Sequence, residues 1–187
     1  MYKKGMLHKE SFQNKVILIT GGGSGLGKSI GKYLLELGAS IIITSRKMEV
    51  LQKTTDEFNK DFPDKTFPIA GDVRKIEDVE NVINKSIEKF GTIHCLLNNA
   101  AGNFVSPTER LSSKGFDVII DIVLKGTCNF TLTLGKIWIT NKQPGTILNI
   151  TTTYSNTGSG YVVPSAAAKG GVTALTKSIG SEWAKYN

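Results

Sequence analysis

The stretch Thr20 to Gly27, TGGGSGLG, follows the apolar run Val16 to Ile19 and leads directly into the helical pattern of Lys28 to Leu35. A strand, a glycine-rich turn and a helix in this order bring backbone N–H groups and a positive helix end to a pyrophosphate. Glycine strings also occur in ordinary turns, so the flanking elements carry the prediction of dinucleotide binding. The predicted phosphate-binding residues are Gly21, Gly22, Gly23, Ser24, Gly25, Leu26 and Gly27.

The rest of the chain alternates strand and helix patterns. Apolar runs predict strands at about 15–20, 40–44, 66–70, 93–97 and 146–150, and helical spacing predicts the segments between them. Further helices are expected in a long region ending near Asn141 and from about Ser165 to Lys185. This alternation predicts an α/β fold, a Rossmann-type doubly wound parallel sheet with helices on both faces.

Composition narrows the classes of function. The 187 residues have 40% hydrophobic content and a net charge of +7, which suits one globular domain that attracts anions. Basic residues do not cluster with aromatics, no apolar run reaches the ~20 residues of a membrane span, and His and Cys lack metal-ligand spacing. Nucleic acid, membrane span and metal are therefore not expected, and Cys95 and Cys128 are expected to be reduced, buried thiols.

The predicted carboxyl ends of the second and third strands indicate which cofactor binds. NAD-binding folds often place an acidic residue after the second strand, but this chain has Ser45-Arg46-Lys47 there. A guanidinium matches a 2′-phosphate, so Arg46 favours NADPH, although an exposed basic pair at a helix start is the alternative. Asp72, after the third strand, is predicted either to contact the adenine edge or to cap a helix.

Three further motifs identify a family. The chain resembles the short-chain dehydrogenase/reductase superfamily in TGxxxGxG (Thr20 to Gly27), in an NNAG-like turn with one extra alanine after Asn98, and in Lys169, the lysine of the YxxxK signature. The resemblance implies that Asn99 and Lys169 help to bind the cofactor. It also implies that the family's last strands are lacking, so that 15–187 form an incomplete NADP-binding domain after a polar segment, 1–14.

Departures from the superfamily pattern are as informative as the matches. Ser165 replaces the YxxxK tyrosine, Val123 replaces the asparagine of the catalytic tetrad, and Thr152 stands where the catalytic serine is usual. Without that tyrosine, ordinary carbonyl and alcohol chemistry is disfavoured.

One branch shares these departures. The runs NNAAGNFVSPTER (98–110), IVLKGT (122–127) and ITTTYSNTGSGYVVPSAAAK (150–169) resemble the 2,4-dienoyl-CoA reductases, and Tyr154 favours their mitochondrial NADPH-dependent type. The resemblance implies reduction of a dienoyl-CoA to a 3-enoyl-CoA, with Tyr154, Asn103, Lys169 and Ser165 as catalytic residues. It also implies acyl-CoA contacts from Arg74, Phe104 and Ser112, and a homotetramer.

Other interpretations stay open at the level of sequence. The chain is alternatively a truncated, non-catalytic NADP-binding fragment, or a reductase of another enoyl or carbonyl substrate. The expected location is mitochondrial by resemblance, without a clear presequence, and the cytoplasm and peroxisome are the alternatives.

Overall fold

The structure is a computed structural model that describes residues 7–186, so Met1–Met6 of the predicted polar segment and Asn187 lie outside the described residues. Five parallel strands form one sheet in the order β3-β2-β1-β4-β5. Their bounds are β1 Val16–Thr20, β2 Ser40–Ser45, β3 Thr66–Ala70, β4 Cys95–Asn98 and β5 Thr146–Asn149. The predicted parallel sheet is confirmed, and β4 begins two residues later than the apolar run suggested.

Seven α-helices connect and flank the strands within the described residues. They are α1 Gly25–Glu36, α2 Met48–Asn59, α3 Ile76–Phe90, α4 Ser113–Ile120, α5 Gly126–Thr140, α6 Tyr154–Thr157 and α7 Val163–Trp183. Helix α7 begins two residues before the predicted start, because Pro164 occupies its first turn, where proline's fixed φ suits a helix.

Side chains of alternate residues in the central strands pack into two hydrophobic cores, one on each face of the sheet. In β1, Val16 and Leu18 join a core that includes Phe130 and Trp138 of α5, whereas Ile17 and Ile19 join a core that includes Phe58 of α2. Because both faces of the sheet are covered, the strands are apolar at successive positions rather than at alternate ones. Helices therefore lie on both faces, as predicted.

Helix α1 packs on the sheet through glycines as well as apolar residues, and its Ile30 and Leu34 are partly buried against the core that contains Phe58. Its buried positions are Gly27, Gly31 and Leu35, while Leu26 is 67% exposed and Tyr33 is 40% exposed. A Cβ added at Gly31 would lie 3.1 Å from Ile41 Cδ1. Small residues thus let the helix lie close to the strands, which holds its first turn at the end of β1.

A π-helical turn, Asp121–Lys125, joins α4 to α5 in one continuous helical run, Ser113–Thr140. Val123 is fully buried there and packs with Ala168 and Val172 of α7. By length and composition alone this run is able to cross a membrane, a test that core helices also pass. In this structure α5 packs Phe130 on the sheet, and the expectation of no membrane span stays a prediction.

The two edges of the sheet differ in chemistry. Ile41 N–H donates to the Lys65 carbonyl and Gly71 N–H donates to the Ser45 carbonyl. The backbone N–H and C=O groups of odd-numbered residues in β3 therefore point toward β2. Pro68, which has no N–H, therefore lies on the outer side of β3. Strand β5 is bonded to β4 through Thr146 and Ile150. Its outer edge has no neighbouring strand among the described residues.

Both cysteines are free thiols, as expected, but they are half-buried rather than buried. Partial burial raises the pKa of the Cys95 and Cys128 thiols. The two thiols are therefore poorer nucleophiles than exposed cysteines.

Candidate dinucleotide and active site

A cleft of about 630 Å³ opens at the carboxyl ends of the strands, where ligands bind in open parallel sheets. It is lined by residues from the ends of all five strands and the start of α7. These are Gly21, Ser24, Leu26, Ser45, Arg46, Gly71, Asp72, Val73, Asn99, Ala100, Ala101, Gly102, Asn103, Ile122, Ile150, Thr151, Thr152, Tyr154, Ser165 and Lys169.

The glycine turn has the geometry that only glycine tolerates well. Gly21 and Gly25 have φ values of +68° and +53°, which place them in the left-handed region. A Cβ at Gly22 would lie 2.6 Å from Ile43 Cγ2, and one at Gly27 would lie 2.5 Å from the Gly21 carbonyl oxygen. A Cβ at Gly25 would meet no protein atom within 4 Å, so this part of the turn is open.

Side chains on three neighbouring elements hold the turn in place. Thr20 Oγ1 accepts from the backbone N–H groups of Asn99 at 3.1 Å and Ala100 at 3.0 Å. The Asn99 amide donates to the Thr20 and Gly21 carbonyls, and Thr54 Oγ1 donates to the Gly23 carbonyl at 2.8 Å. Asn99, predicted to bind the cofactor, thus lines the cleft while its side chain stabilises the turn. No sequence pattern predicted a role for the hydroxyls of Thr20 and Thr54.

Charged groups gather at the ends of β2 and β3. Arg46 is exposed at the cleft, and Asp72 pairs with Arg74, whose Nη2 lies 2.5 Å from Asp72 Oδ2. The Arg74 guanidinium is the main cause that lowers the pKa of the Asp72 carboxyl, and Arg46 adds a smaller effect in the same direction. Helix α3 has Lys75 as its N-cap, so the alternative prediction that Asp72 caps the helix is wrong.

The far end of the cleft brings together three predicted catalytic residues. Ser165 and Lys169 lie one helical turn apart on α7 and are only 3% and 5% exposed. The Tyr154 hydroxyl lies 3.1 Å from Ser165 Oγ, and Lys169 Nζ donates to the Ile150 carbonyl. Burial lowers the pKa of the Lys169 ammonium. The Tyr154 hydroxyl, from α6, thus contacts Ser165, which occupies the position of the family's signature tyrosine on α7.

Two more polar groups complete this end. Asn103 is exposed in the loop after β4 and lines the cleft. Thr152 Oγ1 is buried, and no hydrogen-bond partner for it occurs among residues 7–186. A buried hydroxyl without a partner is costly unless a ligand or water satisfies it, so this atom fits a ligand site.

The three predicted acyl-CoA residues lie outside the lining of the cleft in the described part of the chain. Arg74 is held by Asp72, and Ser112 caps α4 by accepting from the Gly115 N–H at 3.1 Å. Phe104, 39% exposed, lies beside the same glycine, because a Cβ at Gly115 would lie 3.3 Å from its Cζ. Their contact with substrate stays a prediction.

A parallel sheet, an open glycine turn at the end of β1 and a polar cleft beside it define a dinucleotide-binding protein of the doubly wound class. The family profile of the short chain dehydrogenases matches residues 15–187, and the chain belongs to that family.

Relatives and a solved structure agree with this assignment. An uncharacterized oxidoreductase of Caenorhabditis elegans is 46% identical over 177 residues, which are 94% of this chain and 56% of that protein. A probable 2,4-dienoyl-CoA reductase of C. elegans, named as producing (3E)-enoyl-CoA, is 42% identical over 98% of this chain and 60% of its own length. A short chain dehydrogenase structure from Bacillus anthracis superposes with a TM-score of 0.89 at 41% identity, covering 92% of this chain and 69% of that one.

More distant relatives have the same kind of name. A probable 2,4-dienoyl-CoA reductase of Bacillus subtilis, named as producing (2E)-enoyl-CoA, is 39% identical over 93% of this chain and 68% of that protein. Peroxisomal 2,4-dienoyl-CoA reductases, such as that of Danio rerio, are 32–36% identical. The chain spans 56–60% of the length of the two C. elegans relatives described above.

Proposed function

We propose that the protein reduces 2,4-dienoyl-CoA with NADPH and releases trans-3-enoyl-CoA, a step in the β-oxidation of unsaturated fatty acids. The observation that carries this proposal is the Tyr154 hydroxyl, 3.1 Å from Ser165 Oγ in the cleft that Lys169 also lines. The family's phenol is missing from α7, yet a phenol from α6 reaches the same region. The site therefore keeps a phenol as a proton donor, but the phenol comes from α6 instead of α7.

The residues of the cleft fit a dinucleotide. The backbone at Gly25 is open toward solvent, and Ser24 and Leu26 line the cleft at the N-terminus of α1, where the helix dipole favours a pyrophosphate. Residues 15–187 would act as one NADP-binding domain. When bound there, NADPH supplies a hydride to the distal end of the conjugated dienoyl thioester.

The protein's own groups would stabilise the charge that this hydride pushes onto the thioester oxygen. Tyr154 and Asn103 donate hydrogen bonds to that oxygen, and a proton from solvent, relayed by Tyr154 to the α-carbon of the dienolate, would give the 3-enoyl product. Lys169 holds the nicotinamide ribose, and its positive charge favours the negative charge that develops nearby. Ser165 would hold the Tyr154 hydroxyl, which it contacts, on the face of α7 where Lys169 lies one turn later.

Arg46 supports NADPH rather than NADH. It is exposed at the cleft directly after β2, where its guanidinium is able to pair with a 2′-phosphate. We expect Arg46→Asp to weaken NADPH binding and to leave NADH binding unchanged or improved, measured by fluorescence titration. Lys47→Asp, a neighbouring exposed cation outside the lining residues, is the matched control. An unchanged NADPH to NADH affinity ratio in Arg46→Asp would contradict the assignment.

Tyr154→Phe tests the reaction. Removing one donor from an oxyanion site typically lowers turnover ~10²–10³-fold, and the loss of dienoyl-CoA absorbance measures it. NADPH affinity should stay within about twofold, because the phenol is placed on the substrate. Turnover that survives the change rules out the mechanism, and a wild-type chain that binds NADPH without turnover identifies a non-catalytic binder. Turnover of another enoyl or carbonyl substrate instead would redirect the assignment.

Location and assembly are parts of the same proposal. Tyr154 supports the mitochondrial type, whereas the peroxisomal names of several relatives make the peroxisome the main alternative. A homotetramer is expected from the family resemblance. Imaging of the tagged protein against organelle markers decides the first point, and sedimentation analysis decides the second.

A further inference from the structure

Asp72 and Arg74 are joined by several hydrogen bonds and an ion pair. Arg74 Nε lies 2.9 Å from Asp72 Oδ1 and 3.1 Å from Oδ2, and Nη2 lies 2.5 Å from Oδ2. The backbone N–H of Arg74 also donates to Oδ1, at 3.1 Å. Asp72 thereby receives both arms of the guanidinium fork and one main-chain donor.

The main chain of Asp72 is fixed from the opposite side. Its N–H donates to Asp78 Oδ2 at 2.9 Å, which ties the end of β3 to the first turn of α3. The Asp72 side chain is only 12% exposed, and the residue lines the cleft on the side where Arg46 lies. The carboxylate therefore has one orientation relative to the cleft.

The donors can be compared with the acceptor capacity of the carboxylate. An ionised carboxylate offers about four acceptor sites, two on each oxygen. The backbone N–H and the Nε–H of Arg74 occupy both acceptor sites of Oδ1. Oδ2 accepts a short bond from Nη2, and the same Nε–H also contacts it at the longer distance of 3.1 Å. About one acceptor site on Oδ2 is left for a ligand.

We propose that Arg74 is a positioning residue of the adenine subsite, which fixes Asp72 so that its one remaining acceptor site reads the exocyclic amino group of the base. This inference rests on the proposed binding of NADPH. It gives Arg74 a role in cofactor selection, through Asp72, in addition to or in place of contact with the acyl-CoA. A base with a carbonyl in place of that amino group would set two acceptors against each other and bind less well.

The test compares NADPH with its hypoxanthine analogue, in which a carbonyl replaces the adenine amino group. Dissociation constants are measured by fluorescence titration without any acyl-CoA, so that substrate contacts do not contribute. The variants are Arg74→Gln, Arg74→Lys and Asp72→Asn, and Lys75→Gln is the control, since it removes the same charge from the exposed neighbouring residue.

We expect the wild type and Lys75→Gln to favour NADPH by about tenfold, the size of one hydrogen bond to a charged group. The preference should fall toward one in Arg74→Gln. It should also fall in Arg74→Lys, which keeps the charge but lacks the planar fork. Combining Arg74→Gln with Asp72→Asn should cause no further loss of preference, because both changes act on one contact.

Several outcomes overturn the inference, and they are distinguishable. If Arg74→Gln keeps the tenfold preference, or changes only the KM for acyl-CoA, Arg74 does not position the adenine subsite. A wild type that binds both dinucleotides equally well contradicts the inference but leaves NADPH binding intact. If the wild type binds neither, the proposed function fails with it. Should Arg74→Gln not fold, Arg74→Lys and Asp72→Asn, checked by circular dichroism, give the same comparison.

Discussion

At the phosphate end of the cleft, hydrogen bonds that involve the side chains of Thr20, Asn99 and Thr54 hold the backbone of the glycine turn in place. At the reacting end, Asn103 is exposed in a loop, and Tyr154 belongs to a helix of four residues, Tyr154–Thr157. In the proposed function, the first end would bind the cofactor through main-chain groups that a change of backbone would displace. The second end would act through side chains. Substitutions at the two ends should therefore separate into losses of folding and losses of chemistry.

The largest effect on stability is expected from Gly27→Ala. The added Cβ would lie 2.5 Å from the Gly21 carbonyl oxygen and 2.6 Å from Asn99 Nδ2, so α1 must move away from β1. We expect a loss of ~3 kcal/mol in the free energy of unfolding, in the range of other overpacked sites, together with the loss of NADPH binding. Denaturant unfolding measures the first effect. Gly160→Ala, where a Cβ meets no atom within 4 Å, is the matched control.

A smaller effect is expected from Thr20→Val, which keeps the shape and removes the hydroxyl. The N–H groups of Asn99 and Ala100 would lose their acceptor near the buried end of β1. Leaving such donors unsatisfied costs about 2 kcal/mol of unfolding free energy, and NADPH affinity should fall with the loosened turn. Thr20→Ser retains the oxygen and should stay within about 0.5–1 kcal/mol of the wild type. Equal losses in Thr20→Val and Thr20→Ser would show that the methyl group matters more than the bonds.

At the reacting end, Lys169→Met should change the pH dependence of stability. Burial lowers the pKa of Lys169 from its ordinary value of 10.5, so the unfolded chain binds more protons than the folded one between the two pKa values. The free energy of unfolding of the wild type, relative to Lys169→Met, should therefore rise as the pH increases toward 10.5. Urea unfolding of both proteins from pH 7 to 10.5 measures this difference. A difference that is flat or falls with pH contradicts the assignment of a buried, charged lysine.

The smallest effect is expected far from either end. Gly180 lies in α7, and a Cβ there meets no atom within 4 Å. Gly180→Ala should raise the free energy of unfolding by ~0.5–1 kcal/mol, the usual gain in a helix, without changing NADPH affinity or turnover. Thermal unfolding and titration check both. A loss of NADPH affinity in Gly180→Ala would mean that the two ends of the cleft are not the only determinants of binding.

Much of the fold was predictable because strand and helix periods are local. The strand Thr66–Ala70 agrees with the predicted bounds to the residue. The packing face of α1 was only partly predictable from apolar spacing, because Ile30 and Leu34 pack on the core but Gly27 and Gly31 also lie against the sheet, while Leu26 and Tyr33 are exposed. The close approach of α1 to the sheet depends on the helix and on the strands together, whereas the apolar spacing of the α1 sequence describes the helix alone.

The same reason limits what the sequence predicts of the site. Ser165 and Lys169 are four residues apart in a helix predicted to begin near Ser165, which places them on one face, and the structure confirms that helix. The contact of Tyr154 with Ser165 depends on how the segment between them folds. The pairing of the Arg74 guanidinium with Asp72 depends likewise on the turn after β3. Neither was predictable from spacing. The π-helical turn, Asp121–Lys125, also escaped the sequence analysis, since its helical pattern resembles that of an α-helix.

The two edges of the sheet differ in how readily they can pair with another strand. Pro68 removes an N–H from the outer side of β3, so a strand arriving there would lack one bond of a ladder. On β5, Thr146 and Ile150 use their N–H groups toward β4, and the intervening residues Ile147 and Asn149 turn theirs outward. Growth of the sheet, whether by folding, assembly or misassembly, is therefore one-sided. Amide hydrogen exchange should report fast exchange at Ile147 and Asn149 until a strand covers them.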